Sequence, residues 1–145
     1  MPSVKSIVLV SAQFAGMGGI MLTGPWLARH PAWLALQIAG CAVGAWSVLA
    51  MRLGNLHILP EFKADHQLVT RGPYRVIRHP MYTAVLMAFG ALVADDFTWP
   101  RAGIWIALVV VHLLKLRFEE QILRAHFADY SDYARRTKRL LPFVW

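Results

Sequence analysis

Between His66 and Tyr82 the chain gathers His66, Arg71, Tyr74, Arg75, Arg78, His79 and Tyr82 into seventeen residues. Gly72-Pro73 marks a turn, and Pro80 suits the first turn of a helix, where its missing N–H costs nothing. A helix N-terminus opening onto such a loop presents free N–H groups and a partial positive charge, which suit a carboxylate or phosphate ligand. The histidines and tyrosines add ring faces for stacking and polar tips for hydrogen bonding. A second cluster follows at Lys115, Arg117, Glu119 and Glu120. It lies at the base of an apolar stretch, where ionisable groups are costly unless paired or turned towards a polar cavity.

Both clusters also have plainer readings. Arg71, Arg75 and Arg78 would each contribute about 1 kcal/mol to attraction towards anionic lipid. Lys115 with Glu119, and Glu120 with Arg124, are i, i+4 pairs that a solvated helix face would carry equally well. Charge alone does not call for a Gly-Pro-Tyr and a His-Pro-x-Tyr in one short loop, so the loop reads as a ligand site. The carboxylate pair stays open between a solvated face and part of that site.

The elements that must position these residues follow from composition. Of the 145 residues, 57% are apolar and only 16% charged, with a net charge of +7, against about 45–50% apolar in soluble domains. A mean hydropathy of +0.45 beside a pI near 10.2 disfavours a soluble enzyme or a nucleic-acid binder and excludes disorder. Cys41 is the only cysteine, so no intrachain disulfide forms. His57, His66, His79 and His112 lack metal-ligand spacing, and no metal is expected.

Ser6 to Ala28 and Pro31 to Met51 are uncharged runs of twenty-three and twenty-one residues, each enough to cross a hydrocarbon core of about 30 Å. A signal peptide is the alternative for the first, but the run is long and lacks a small-x-small cleavage site. Gly16, Gly18 and Gly19, and Gly40 with Gly44, form small-xxx-small patterns that allow close helix approach. The apolar stretches Pro80 to Ala94 and Ala102 to Val111 read as a helical hairpin turning at residues 95–100, the last helix continuing past Lys115 as an amphipathic extension. Thirteen of the fifteen Lys and Arg residues fall at the N-terminus, in the 52–78 loop and in the tail, which places those segments in the cytoplasm. The expectation is an all-α, multi-pass integral membrane protein with about four transmembrane helices and both termini cytoplasmic. It forms one domain over 1–145: two spans over 1–51, a cytoplasmic loop over 52–79, the hairpin over 80–116, and a cytoplasmic helix and amphipathic tail over 117–145.

The string Leu68-Val69-x-x-Gly72-Pro73-Tyr74-Arg75-x-x-Arg78-His79-Pro80-x-Tyr82 is followed, after the hairpin, by Glu119-Glu120-x-x-Leu123-x-x-x-Phe127 and Tyr130-x-x-Tyr133. This pattern resembles the isoprenylcysteine carboxyl methyltransferase and phospholipid methyltransferase superfamily, over roughly residues 50–145. The resemblance implies an integral-membrane methyltransferase that uses S-adenosyl-L-methionine. It implies cofactor contacts from His66, Gln67, Leu68, Val69, Gly72, Pro73, Tyr74, His79, Pro80, Met81 and Tyr82, completed by Glu119 and Glu120. Glu119, Glu120 and Arg117 are the implied catalytic residues. The family's substrate-facing arginine stands one turn before its glutamate; here the position four before Glu119 is Lys115, four before Glu120 is Leu116, and the nearest arginine is Arg117.

The implied partners are the lipid bilayer and a lipophilic or amphipathic methyl acceptor, such as an isoprenylcysteine-type carboxylate or a lipid amine, with no nucleic acid. The sequence leaves the oligomeric state open. Two other classes compete: a non-catalytic membrane protein that binds anionic lipid or a partner through its basic loop and tail, and a membrane reductase with a nicotinamide cofactor, which the short chain disfavours.

Overall fold

The computed structural model describes residues 3–51 and 68–145, and the regular elements within them are helical. Five α-helices follow in order: α1 (Val4–Leu22), α2 (Pro31–Met51), α3 (Pro80–Asp95), α4 (Trp99–His126) and α5 (Tyr130–Arg136), with a 3₁₀ turn at Gly72–Arg75 between α2 and α3. His66 and Gln67 lie outside the described residues, as does most of the 52–79 loop.

Local chemistry sets the helix starts. The Ser3 hydroxyl accepts from the Ser6 N–H at 3.2 Å to open α1, and Thr98 accepts from the Arg101 N–H at 3.4 Å to open α4. Both α3 and α4 carry proline in the first turn, where its fixed φ is already helical. α4 does not stop with its apolar run: its 28 residues reach about 42 Å at 1.5 Å per residue and carry Lys115, Glu119 and Glu120 on one continuous rod.

α1 and α2 are long and apolar enough to cross a membrane, and α3 is a shorter apolar helix. Their outer faces agree, since Ile7, Val8 and Phe14 on α1, Ile38 and Leu49 on α2, and Ile106 and Val110 on α4 are all exposed. Water penalises such a surface and hydrocarbon does not. The fold is that of a helical membrane protein.

The helices pack as two close pairs, α1 with α4 and α2 with α3, joined by a narrower α3–α4 seam. Gly40 makes the second pair possible: a Cβ there would stand 2.9 Å from the Ala84 carbonyl oxygen and from the Ala88 nitrogen. Gly16 faces Leu108 on α4, whereas Gly18 faces open space.

At one end Ile20, Ala28, Leu92, Val93 and Leu108 form a core. There the buried Arg101 donates to the Ile20 carbonyl at 3.2 Å and the Leu92 carbonyl at 3.1 Å, satisfying groups at the C-terminal ends of α1 and α3 where a cation is favourable. Asp95 accepts from the backbone N–H groups of Arg29 and His30, both at 2.8 Å, at the same end. At the other end the Lys5 ammonium lies 4.8 Å from the Phe118 ring centre, so α1 and α4 run antiparallel. The tail returns along the loop here: Arg78 N–H donates to the Lys138 carbonyl at 2.7 Å, Lys138 N–H to the Val76 carbonyl at 3.0 Å, and His79 N–H to the Arg139 carbonyl at 3.1 Å.

Candidate functional site

His79 caps α3 and is buried. Its position at the loop–helix junction aims the ring at α4, where the adjacent residues Glu119 and Glu120 face its two nitrogens. Nδ1 lies 3.5 Å from Glu119, and Nε2 lies 3.6 Å from Glu120. Both sides of the imidazole face an anion. Burial pushes the ring towards its neutral form, but hydrogen bonding and charge from Glu119 and Glu120 outweigh it, so its pKa is raised above the usual histidine value.

The two carboxylates differ in what else they touch. Glu120 is held by Arg78 Nε at 2.8 Å and by Arg139 Nε at 3.3 Å, and its side chain is 5% exposed. The same Arg78 guanidinium donates to the Ala134 carbonyl at 2.8 Å and the Thr137 carbonyl at 2.5 Å, so it ties the tail to the loop as well as neutralising Glu120. Glu119 accepts from the Tyr82 hydroxyl at 2.5 Å and is more open, with a side chain 18% exposed. Tyr82 stacks on His79, with ring centres 5.3 Å apart and planes 9° from parallel.

Tyr74 sits in the 3₁₀ turn, buried, with its carbonyl accepting from the Tyr133 hydroxyl at 2.7 Å. Its own hydroxyl is buried without a hydrogen-bond partner. Burial, then the neighbouring Tyr133 and Glu119, push this phenol well above its ordinary range, so it is a neutral donor at any physiological pH. The turn depends on Gly72, whose φ is +59°, and whose Cβ would stand 2.8 Å from that of Ala50 on α2.

The structure thus brings together His79, Tyr82, Glu119 and Glu120 from the sequence-derived set, with Pro73, Tyr74 and Pro80 buried alongside and Leu68, Val69, Gly72 and Met81 half-buried. Arg117 is exposed. The buried cation of that turn is Lys115: its ammonium donates to Gln13 of α1 at 3.0 Å and lies 5.2 Å from the Tyr82 ring centre. Sequence reasoning missed Arg78, Arg139 and Gln13 as members of the cluster. Arg78 was visible only as a positive charge inside the motif, and Arg139 only as part of a basic run. An open cleft of about 230 Å³ lies beside the Arg78–Glu120 pair, between α5 and the tail, with Thr137, Arg139 and Trp145 on its walls.

A sequence model of the phospholipid methyltransferase family matches residues 28–130. The chain belongs to that family. The match runs from the α1–α2 connection to the start of α5, so the family region holds Arg78, His79, Tyr82, Glu119 and Glu120 together. The chain is 34% identical over 110 residues to the nickel-cobalt-cadmium resistance protein NccN of Alcaligenes xylosoxydans xylosoxydans, covering 74% of this chain and 52% of that protein. It is 29% identical over 116 residues to a probable protein-S-isoprenylcysteine O-methyltransferase of Oryza sativa subsp. indica, covering 77% and 60%. It is 39% identical over 70 residues to methanethiol S-methyltransferase 2 of Bradyrhizobium diazoefficiens, covering 48% and 26%. This phospholipid methyltransferase family member therefore spans about half the length of the first of these relatives. The motifs that suggested the family from sequence, Gly72-Pro73-Tyr74 to Tyr82 and Glu119-Glu120, are the ones the fold joins into one cluster.

Proposed function

We propose that the chain transfers a methyl group from S-adenosyl-L-methionine to a lipophilic or amphipathic acceptor at the cytoplasmic face of a membrane. The observation that carries this reading is the unequal treatment of the two adjacent carboxylates. Glu120 is neutralised by two arginines, while Glu119 keeps partial solvent access and is oriented by the Tyr82 hydroxyl. Glu119, although it faces His79 and Tyr82, keeps acceptor capacity on its exposed side for an ammonium, as an amino-acid ligand end requires.

The donor set fits the rest of such a cofactor. The positive end of the α3 dipole suits a carboxylate, and the unpartnered Tyr74 hydroxyl offers a further buried donor. His66 and Gln67 complete the proposed contact set. When bound, the cofactor supplies an electrophilic methyl group. The protein's part is to orient the reactants in line and to exclude water from between them.

The same reading has α1 to α4 crossing the membrane with both termini cytoplasmic. Lys5, Arg78 and Arg139 lie at one end of the bundle and Arg101 at the other, which supports that orientation. A polar cofactor then enters from water while an apolar acceptor arrives through the bilayer. The test is calorimetric titration of the detergent-solubilised protein with S-adenosylmethionine and S-adenosylhomocysteine, with a nicotinamide dinucleotide as control. Saturable binding of the first two alone is expected; folded protein that binds neither overturns the proposal.

A further inference from the structure

Among the described residues, the buried histidine that the proposed cofactor site does not use is His112. It lies on α4 with no exposed surface. Its Nδ1 is 2.8 Å from the Leu108 carbonyl oxygen one turn earlier. A carbonyl only accepts, so Nδ1 carries the ring proton, and Nε2 of the neutral ring is a bare lone pair. That nitrogen is buried and has no hydrogen-bond partner, a costly state that native structures rarely leave unexplained.

Its neighbours connect it to the site. His112, Lys115 and Glu119 recur at i, i+3 and i+7, so they share one stripe of α4. Tyr82 meets that stripe from α3 at three places: its ring lies edge-on to His112 at 5.1 Å and 82°, its face receives the Lys115 ammonium, and its hydroxyl bonds Glu119. From α1 the polar neighbour is Gln13, through Lys115. The stripe carries polar chemistry inward from Glu119 and ends at an acceptor atom with nothing to accept.

We propose that His112 Nε2 receives the proton of the methyl acceptor, and that the acceptor is a neutral apolar molecule whose attacking atom bears a hydrogen, a thiol or an amine. This rests on the methyl-transfer reading above and narrows its substrate class. A carboxylate would set its own lone pairs against that of Nε2, whereas an S–H or N–H supplies the donor that the nitrogen lacks. In the step, a lone pair on the acceptor's sulfur or nitrogen forms the bond to the methyl carbon. The carbon–sulfur bond of the sulfonium breaks with its electron pair remaining on that sulfur, and the acceptor's proton passes to Nε2. The sulfonium's positive charge is replaced by that of the imidazolium, which returns its proton to water after product departure.

Two measurements test this. In wild-type protein labelled with ¹⁵N-histidine, Nε2 of His112 is expected to resonate as an unprotonated, pyridine-type nitrogen, and to shift on titration with octanethiol or the uncharged arylamine 4-butylaniline, each alone. A protonated Nε2, or a signal that neither probe moves, overturns the proposal. In the second, His112→Gln is compared with wild type on octanethiol, 4-butylaniline and N-acetyl-S-farnesylcysteine. Turnover of the thiol or the amine is expected to fall by about 100-fold or more, in the range of general-base catalysis, and at least ten times further than turnover of the carboxylate. The arm that shows the loss identifies the acceptor; equal losses on all three make His112 a packing residue. Failure of S-adenosylhomocysteine to bind wild type would overturn the methyl-transfer reading instead, and the nitrogen signals judge His112 independently of it.

Discussion

The Arg78 guanidinium reaches Glu120 at 2.8 Å across 42 positions of sequence, and both side chains are almost fully buried. This pair joins the loop before α3 to the C-terminal part of the long α4. Removing one partner of a buried pair leaves a charge without compensation, which costs far more than the intact pair contributes. Arg78→Ala also strips a donor from the Ala134 and Thr137 carbonyls. The expected loss is about 3 kcal/mol, read as a lower midpoint in thermal unfolding of the detergent-solubilised protein, with Arg78→Lys recovering only part of it because one ammonium cannot reproduce the fork.

The two glutamates should separate by phenotype. Glu119→Gln is expected to lower the melting midpoint less than Glu120→Gln does and to weaken S-adenosylmethionine binding roughly tenfold or more, the worth of a charge-assisted hydrogen bond. Glu120→Gln should do the reverse, losing stability first, because its partners are Arg78, Arg139 and His79. Titration and melting of both variants check this; identical behaviour would count against the division of labour.

His79 gives the pH dependence a sign. Its folded pKa is raised by Glu119 and Glu120 against the opposing effect of burial. The imidazolium therefore stabilises the fold fully below the unfolded histidine value of about 6.5 and loses that contribution as pH rises through the folded value. Melting midpoints measured from pH 6 upward should decline in wild type and decline less in His79→Gln.

How much of this was readable beforehand follows from how each feature is encoded. The spans α1 and α2 are uninterrupted apolar runs, and the start of α3 is announced by His79-Pro80, so local pattern sufficed. The Glu119-Glu120 pair could be found but not resolved, because its i, i+4 neighbours Lys115 and Arg124 suggested a solvated face. Its real partners are His79, Tyr82, Arg78 and Arg139, none on the same helix. The Lys115–Gln13 contact spans 102 positions and leaves no periodic trace in either segment.

The cation of the α4 cluster is the next discriminating test. Lys115 is buried against Tyr82 and Gln13, and Arg117 is exposed. Lys115→Met should reduce methyl transfer at least tenfold more than Arg117→Met does, with equal membrane insertion of the two variants as the control. A larger effect at Arg117 would move the reacting centre to the other face of α4.

Glycine positions test the helix pairing. Gly40→Val should cost about 1–3 kcal/mol through overpacking against α3, since even a Cβ would stand 2.9 Å from backbone atoms there. Gly18→Val, which meets nothing within 4 Å, is expected to melt with wild type.

Arg101 sits at the opposite end of the bundle from Glu119, and its donations to Ile20 and Leu92 bind α4 to both α1 and α3. The opposite end is pinned as well, by Tyr82 on Glu119 and Arg78 on Glu120, so the two pairs, α1–α4 and α2–α3, are riveted at both ends. A bundle fastened in that way does not hinge about Arg101, and any opening beside His79 and the two glutamates has to release one of those rivets first.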